Sequence, residues 1–106
     1  MNTPLPDILP LKPFLREIVW GGRRLQSFGK DLPPEVPIGE SFEVSALPDQ
    51  DSVVRCGPLA GLGLCDLLAR YGEELVGTAV KARYAADFPL LIKLIDAQDD
   101  LSIQVH

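Results

Sequence analysis

The last six residues, 101–106, constrain the fold of this chain more than any other segment because apolar and polar side chains alternate strictly along them. A period of two is typical of a β-strand with one buried face. The polar side chains therefore share one face of the predicted strand: they are Ser102, Gln104 and His106. His106 is the only histidine, and the sequence stops on it in mid-pattern. We interpret the chain as one that is cut through an active site.

His106 and Gln104 form a candidate metal-binding pair. A neutral imidazole is a common zinc ligand, and a carbonyl oxygen two residues away on the same strand face can share the ion. A catalytic zinc usually takes three protein ligands, however, and the sequence has no second histidine. Taken alone, these residues favour a surface histidine over a ligand.

The composition bounds the class of protein. A chain of 106 residues with 46% hydrophobic residues allows one small globular domain. A net charge of −5 argues against a nucleic-acid partner. Residues 1–15 have no cationic start and no long apolar core, so we expect no secretory signal, and no apolar stretch approaches the roughly 20 residues of a membrane span. Cys56 and Cys65 could form a disulfide, but two reduced thiols in a cytoplasmic protein are the preferred interpretation.

The pattern along the chain predicts mainly β-structure. Strands are expected at 14–20, closed by Gly21 and Gly22, at 40–46 and at 52–55. The nearly continuous apolar run 88–95 predicts a buried strand, and 96–100 a polar turn.

One helical insert, over about 58–80, interrupts these strands. Its apolar residues have helical spacing and are Leu64, Leu67, Leu68 and Tyr71. Gly72 is placed to cap that helix, and a second short helix over 73–80 is weakened by Gly77. Helices that do not alternate with strands favour an antiparallel sandwich or barrel.

Three further positions are candidates for chemistry. Lys93 lies within the apolar run, as either a cation directed into a pocket or an edge-strand lysine that reaches solvent. Trp20 is either a core residue or a pocket wall. Glu40 and Glu43 stand three apart, on opposite faces of a strand, and so do not form an acid–base pair.

Three segments together resemble a known family. Residues 88–106, FPLLIKLIDAQDDLSIQVH, closely resemble the signature of type I mannose-6-phosphate isomerases. Residues 18–22, IVWGG, and 38–45, IGESFEVS, are similar to that family in order and spacing. Phe42 stands where the family often has tryptophan.

The resemblance implies a cupin-type, jelly-roll-like antiparallel β-structure that holds one zinc ion and interconverts mannose 6-phosphate and fructose 6-phosphate. It implies that Gln104 and His106 are zinc ligands. The residues that it places around the substrate are Trp20, Glu40, Lys93 and Ser102, and Lys93 would supply positive charge to the reaction.

In family members the chain continues after this histidine with Pro-Asp and later supplies a glutamate and a second histidine as zinc ligands. None of these follows in the 106 residues. We therefore expect residues 1–106 to be the N-terminal part of the catalytic cupin domain, incomplete and inactive alone. The alternative is a non-catalytic cupin-like module that binds a sugar phosphate or regulates, using Trp20, Lys93 and Ser102. In both cases the expected partner is a sugar phosphate, without nucleic acid or membrane.

Overall fold

The structure is a computed structural model that describes residues 3–101 and 103. These residues form two antiparallel sheets and a group of short helices. The strands are β1 (Leu11–Lys12), β2 (Phe14–Gly22), β3 (Ile38–Val44), β4 (Val53–Val54) and β5 (Ile92–Ile95). The helices are a 3₁₀ turn (Arg24–Phe28), α1 (Leu64–Tyr71), α2 (Glu73–Val76) and α3 (Thr78–Tyr84). The predicted mainly β fold with a helical insert is confirmed.

The larger sheet has the strand order β2–β3–β5, and both pairings are antiparallel. In its register Arg16 lies opposite Glu40, and Phe42 lies opposite Lys93. Residues two apart on β3 point to the same face, so these cross-strand pairs bring four side chains onto one side of the sheet. The smaller sheet pairs β1 with β4.

The bounds of two strands differ from the prediction for a steric reason. β2 continues through Gly21 and Gly22, and β3 is shifted by two residues to Ile38–Val44. A Cβ on Gly21 would lie 2.3 Å from the backbone nitrogen of Gly39. The two backbones approach so closely that only glycine fits, which places these glycines inside the strand and not at its end.

The helical segment follows the predicted pattern. α1 carries the expected apolar stripe, and the Gly72 N–H donates to the Leu68 carbonyl at its end (3.0 Å). Gly77, with φ of 90°, separates α2 from α3. The helices begin at Leu64 and continue to Tyr84, four residues past the expected end. No helix in the described part of the chain is long and apolar enough to cross a membrane.

The core has two parts. One packs α1 against the smaller sheet, and its buried members are Val54, Leu59, Leu64, Leu67 and Tyr71. The other lies beside the larger sheet, and its buried members are Leu25, Leu32 and Ile38. Each sheet therefore packs against its own apolar cluster. The cluster beside the larger sheet supports the strands that carry the polar residues.

The apolar run near the C-terminus is not a buried strand as predicted. Only Ile92–Ile95 forms a strand, at the edge of the described sheet, and both Ile92 and Ile95 are about half exposed. Leu101 and Ile103 are exposed and in no strand. The rest of the predicted final strand, Ser102 and 104–106, lies outside the described residues.

Both cysteines are free thiols, as the sequence favours. Cys56 is exposed, whereas Cys65 is partly buried and its N–H donates to the Asp51 carboxylate (3.1 Å). Burial, reinforced by the negative charge of Asp51, raises the pKa of the Cys65 thiol.

Candidate active site

Glu40 is the centre of the charged group on the larger sheet. It lies on β3 and its side chain is 1% exposed. Its Oε2 accepts a hydrogen bond from Nη1 of Arg16, directly opposite on β2, at 3.1 Å. Its Oε1 accepts from Nζ of Lys93 on β5, also at 3.1 Å. A buried carboxylate is stable only when it is paired, and here a different strand pairs each oxygen.

The sequence left two interpretations of Lys93 open, a cation directed into a pocket and an edge-strand lysine that reaches solvent, and the structure has features of both. β5 is an edge strand of the described sheet, but the lysine side chain lies across the sheet face and is only 19% exposed. Its Nζ lies 5.4 Å from the centroid of the Phe42 ring, the residue opposite it in register. The ammonium is thus held between a carboxylate and an aromatic ring, within the distance of a cation–π contact.

The charges of this group leave a net positive face. Arg16 and Lys93 contribute two cations against the single carboxylate of Glu40. An ammonium has three N–H donors, and Glu40 accepts one bond from it, so Lys93 keeps donors for an anionic or oxygen-rich ligand. Glu40 has no oxygen free of a cation, which suits it to orienting Lys93 and not to accepting a proton.

Trp20 is buried, at 4% exposure, which agrees with its interpretation as a core residue. A Cβ on Gly39 would lie 2.6 Å from the Trp20 ring, so the indole occupies the space beside the glycine. That side of β3 is opposite to the side from which the neighbouring Glu40 projects. The structure thus joins Glu40 to Lys93 but places Trp20 apart from that pair. The indole Nε1 has no hydrogen-bond partner among the described residues.

Asp96 is a buried carboxylate that the sequence analysis missed. It is 5% exposed, follows β5 directly, and accepts a hydrogen bond from the Arg24 backbone N–H (2.8 Å). The Arg24 Nε lies 3.5 Å from its other oxygen. The next turn is also fixed, because the N–H groups of Gln98 and Asp99 both donate to the Trp20 carbonyl (2.9 and 3.1 Å). The turn after β5 is therefore hydrogen-bonded to β2 and to the start of the 3₁₀ turn.

Arg16 was missed by the sequence analysis as well. Its signal in the sequence is weak, because an arginine in a half-exposed strand is ordinary.

The other expected site residues, Ser102, Gln104 and His106, lie outside the described residues. Within 3–101 and 103 no group of three or more His, Cys, Asp or Glu side chains could hold a metal ion. The described part of the site is thus the ion-paired face and not a metal centre.

Comparison with known proteins places the whole chain in a family. The family model of the catalytic domain of type I phosphomannose isomerase matches residues 8–106. This chain belongs to that family. The mannose-6-phosphate isomerase of Streptococcus mutans is 41% identical over 103 residues, which is 96% of this chain and 31% of that protein. The mannose-6-phosphate isomerase ManA of Bacillus subtilis is 38% identical over 95 residues, 90% of this chain and 28% of that protein.

The solved structure of the mannose 6-phosphate isomerase from Bacillus subtilis matches 82% of this chain and 26% of its own, with a TM-score of 0.69 and 36% identity. This likeness confirms the expected cupin-type, mainly antiparallel fold. The chain spans about 30% of the length of the curated family members that it matches.

Proposed function

We propose that this chain supplies the N-terminal part of the catalytic domain of a zinc-dependent aldose–ketose isomerase that interconverts mannose 6-phosphate and fructose 6-phosphate. The observation that carries the proposal is the ion-paired face of Arg16, Glu40 and Lys93, on strands that match the catalytic domain of the family. A substrate with a phosphate and several hydroxyls is a suitable ligand for a net positive face with free N–H donors. A cytoplasmic location fits a sugar-phosphate substrate and two free thiols.

In this proposal Lys93 is the residue that contacts the substrate. Its ammonium is ordered by Glu40 and the Phe42 ring but keeps partial exposure, so it can donate to a sugar oxygen or to the phosphate. The isomerisation moves a proton between C1 and C2 and places negative charge on oxygen. A fixed cation lowers the energy of that charge, since it needs little reorganisation during the reaction.

Glu40 and Trp20 have supporting roles in the same proposal. Glu40 is too buried to reach a substrate directly, and both its oxygens are paired, so it acts by holding Lys93. The Trp20 ring packs against Gly39 and so holds β2 against β3. The Trp20 carbonyl accepts two hydrogen bonds from the turn after β5. Ser102, close in sequence to this turn, is the remaining proposed substrate-binding residue.

Gln104 and His106 are the proposed zinc ligands of this chain. An amide oxygen and an imidazole nitrogen are suitable zinc donors, but two donors are fewer than a catalytic zinc needs. The described residues offer no cluster that would complete the site. The remaining ligands are therefore proposed to come from the part of the isomerase domain that this chain does not include. When bound, the ion would act as a Lewis acid towards the substrate oxygens.

We further propose that the isolated chain has no isomerase activity. With only two ligands, zinc is bound weakly, and β5 presents an exposed apolar edge in the described sheet. Ile92 and Ile95 of this strand are each about half exposed, as are Leu90 and Leu91 just before it.

A hybrid enzyme tests the function. Residues 8–106 of this chain replace the matching part of Bacillus subtilis ManA, and mannose 6-phosphate turnover and bound zinc are measured with and without His106→Ala. We expect turnover and one zinc ion in the hybrid, and loss of both in the His106→Ala hybrid. A folded hybrid that lacks His106-dependent zinc and turnover would contradict the proposal and favour a non-catalytic binding module.

A further inference from the structure

Arg16 stands in direct contact with the ion pair described above but outside every segment that resembles the family signature. It lies on β2, directly opposite Glu40, and its side chain is 38% exposed. Its Nη1 donates to Oε2 of Glu40, the carboxylate oxygen that Lys93 does not contact. Arg16 itself makes no ion pair with Lys93, since both carry the same charge.

Two carboxylate oxygens and one ammonium allow two arrangements. If both oxygens were free, an ammonium with several donors would be drawn to bridge them, and more of its N–H groups would be consumed by Glu40. With Oε2 taken by the arginine, Lys93 bonds to Oε1 alone and remains beside the Phe42 ring. The arginine therefore decides where on the carboxylate the lysine lies.

We propose that Arg16 is a positioning residue that acts through Glu40 to keep the Lys93 ammonium directed at the substrate. This inference rests on the proposed function, in which Lys93 contacts the sugar phosphate. The exposed arginine needs no contact with the substrate for this role, because its effect is transmitted by a buried carboxylate that is 1% exposed.

The first test uses the chain itself and needs no activity. The ¹⁵N chemical shift of Lys93 Nζ and the ¹³C shift of the Glu40 carboxylate are measured by NMR. We expect Arg16→Gln to change both, and Arg16→Lys to restore most of both. Arg55→Gln is the matched control, since Arg55 is exposed and forms no ion pair among the described residues. An unchanged Lys93 signal in Arg16→Gln would overturn the inference.

The second test uses the hybrid enzyme. Displacement of a catalytic group by about 1 Å can cost on the order of 100-fold in rate, so we expect Arg16→Gln to lower kcat/KM by roughly 10- to 100-fold. It should change the same parameter as Lys93→Gln does, either by lowering kcat or by raising KM. The double variant should be no worse than Lys93→Gln alone, within about twofold, because both changes remove one function. Multiplied effects would show that Arg16 acts independently of Lys93.

A Glu40→Gln background provides the test that does not depend on the stability of Arg16→Gln. In that background removal of the arginine leaves no buried carboxylate without a cation. We expect Arg16→Gln then to change neither turnover nor the Lys93 signal. A further loss of turnover would show direct contact of Arg16 with substrate and overturn the inference. If the unsubstituted hybrid is inactive, the proposed function fails, while the NMR test still decides whether Arg16 positions Lys93.

Discussion

A single methyl group at Gly21 should separate β2 from β3, two of the three strands that carry the site. A Cβ at this position would lie 2.3 Å from the nitrogen of Gly39 and 2.5 Å from the carbonyl carbon of Ile38. Atoms in ordinary contact are about 3.5 Å apart, so β3 would have to move by about 1 Å. The colliding atoms are backbone atoms of the next strand, and no side-chain rotation can relieve the contact.

The expected cost of Gly21→Ala is therefore at the upper end of the range for overpacking, about 3 kcal/mol in the free energy of unfolding. That is a large part of the roughly 5–15 kcal/mol that holds a small domain together. Trp20 is the only tryptophan, is 4% exposed, and lies next to the substituted residue. Its fluorescence should shift to longer wavelength in the native state because the indole loses its packing against Gly39.

Gly57→Ala is the matched control for this prediction. Gly57 has a φ of 90°, and a Cβ there would meet nothing within 4 Å. Its cost is backbone strain alone, about 1–2 kcal/mol, and native Trp20 emission should stay unchanged. Urea unfolding followed by fluorescence and by circular dichroism measures both variants. A Gly21→Ala protein with the wild-type emission and a loss below about 1 kcal/mol would refute the close-approach explanation.

Three further predictions follow from the same contacts. Leu67→Ala, at 0% exposure in α1, should lower the free energy of unfolding by about 2–5 kcal/mol in urea, and a loss under 1 kcal/mol would contradict its place in the core. Asp96→Asn should destabilise the chain by roughly 1–3 kcal/mol and speed amide exchange at Gln98 and Asp99, with unchanged exchange as the contrary result. At pH 8 a thiol-alkylating reagent should modify Cys56 well before Cys65, because burial raises the pKa of the Cys65 thiol and keeps it protonated; equal rates would be inconsistent with that burial.

The elements that the sequence predicted well are those decided by neighbouring residues. The stripe of α1 and its end at Gly72 depend on spacing within one helix and on one glycine, and both are confirmed. The orientation of the two glutamates of β3 was also predictable from neighbouring residues. Glu40 and Glu43 point to opposite sides because strand side chains alternate. Glu43 accordingly pairs with Lys30, whereas Glu40 pairs with Lys93.

The features that the sequence did not predict depend on partners far along the chain. Arg16 meets Glu40 across 24 residues, and Arg24 meets Asp96 across 72, so neither pair leaves a local pattern. The apolar run that ends in β5 has the same composition whether the strand is central or at an edge. Only the pairing order shows that, in the described sheet, it is an edge with exposed isoleucines.

A comparison of two lysines in the hybrid enzyme, each paired with a glutamate of β3, tests whether the Glu40–Lys93 face is the active site. Lys93 pairs with Glu40 on the proposed substrate face, whereas Lys30 pairs with Glu43 on the other face of β3. Both substitutions, Lys93→Gln and Lys30→Gln, remove one partly buried ammonium from one glutamate. We predict that kcat/KM for mannose 6-phosphate falls on the order of 100-fold or more in Lys93→Gln and changes little in Lys30→Gln. Equal effects of the two substitutions would contradict the assignment of the Glu40–Lys93 face as the active site.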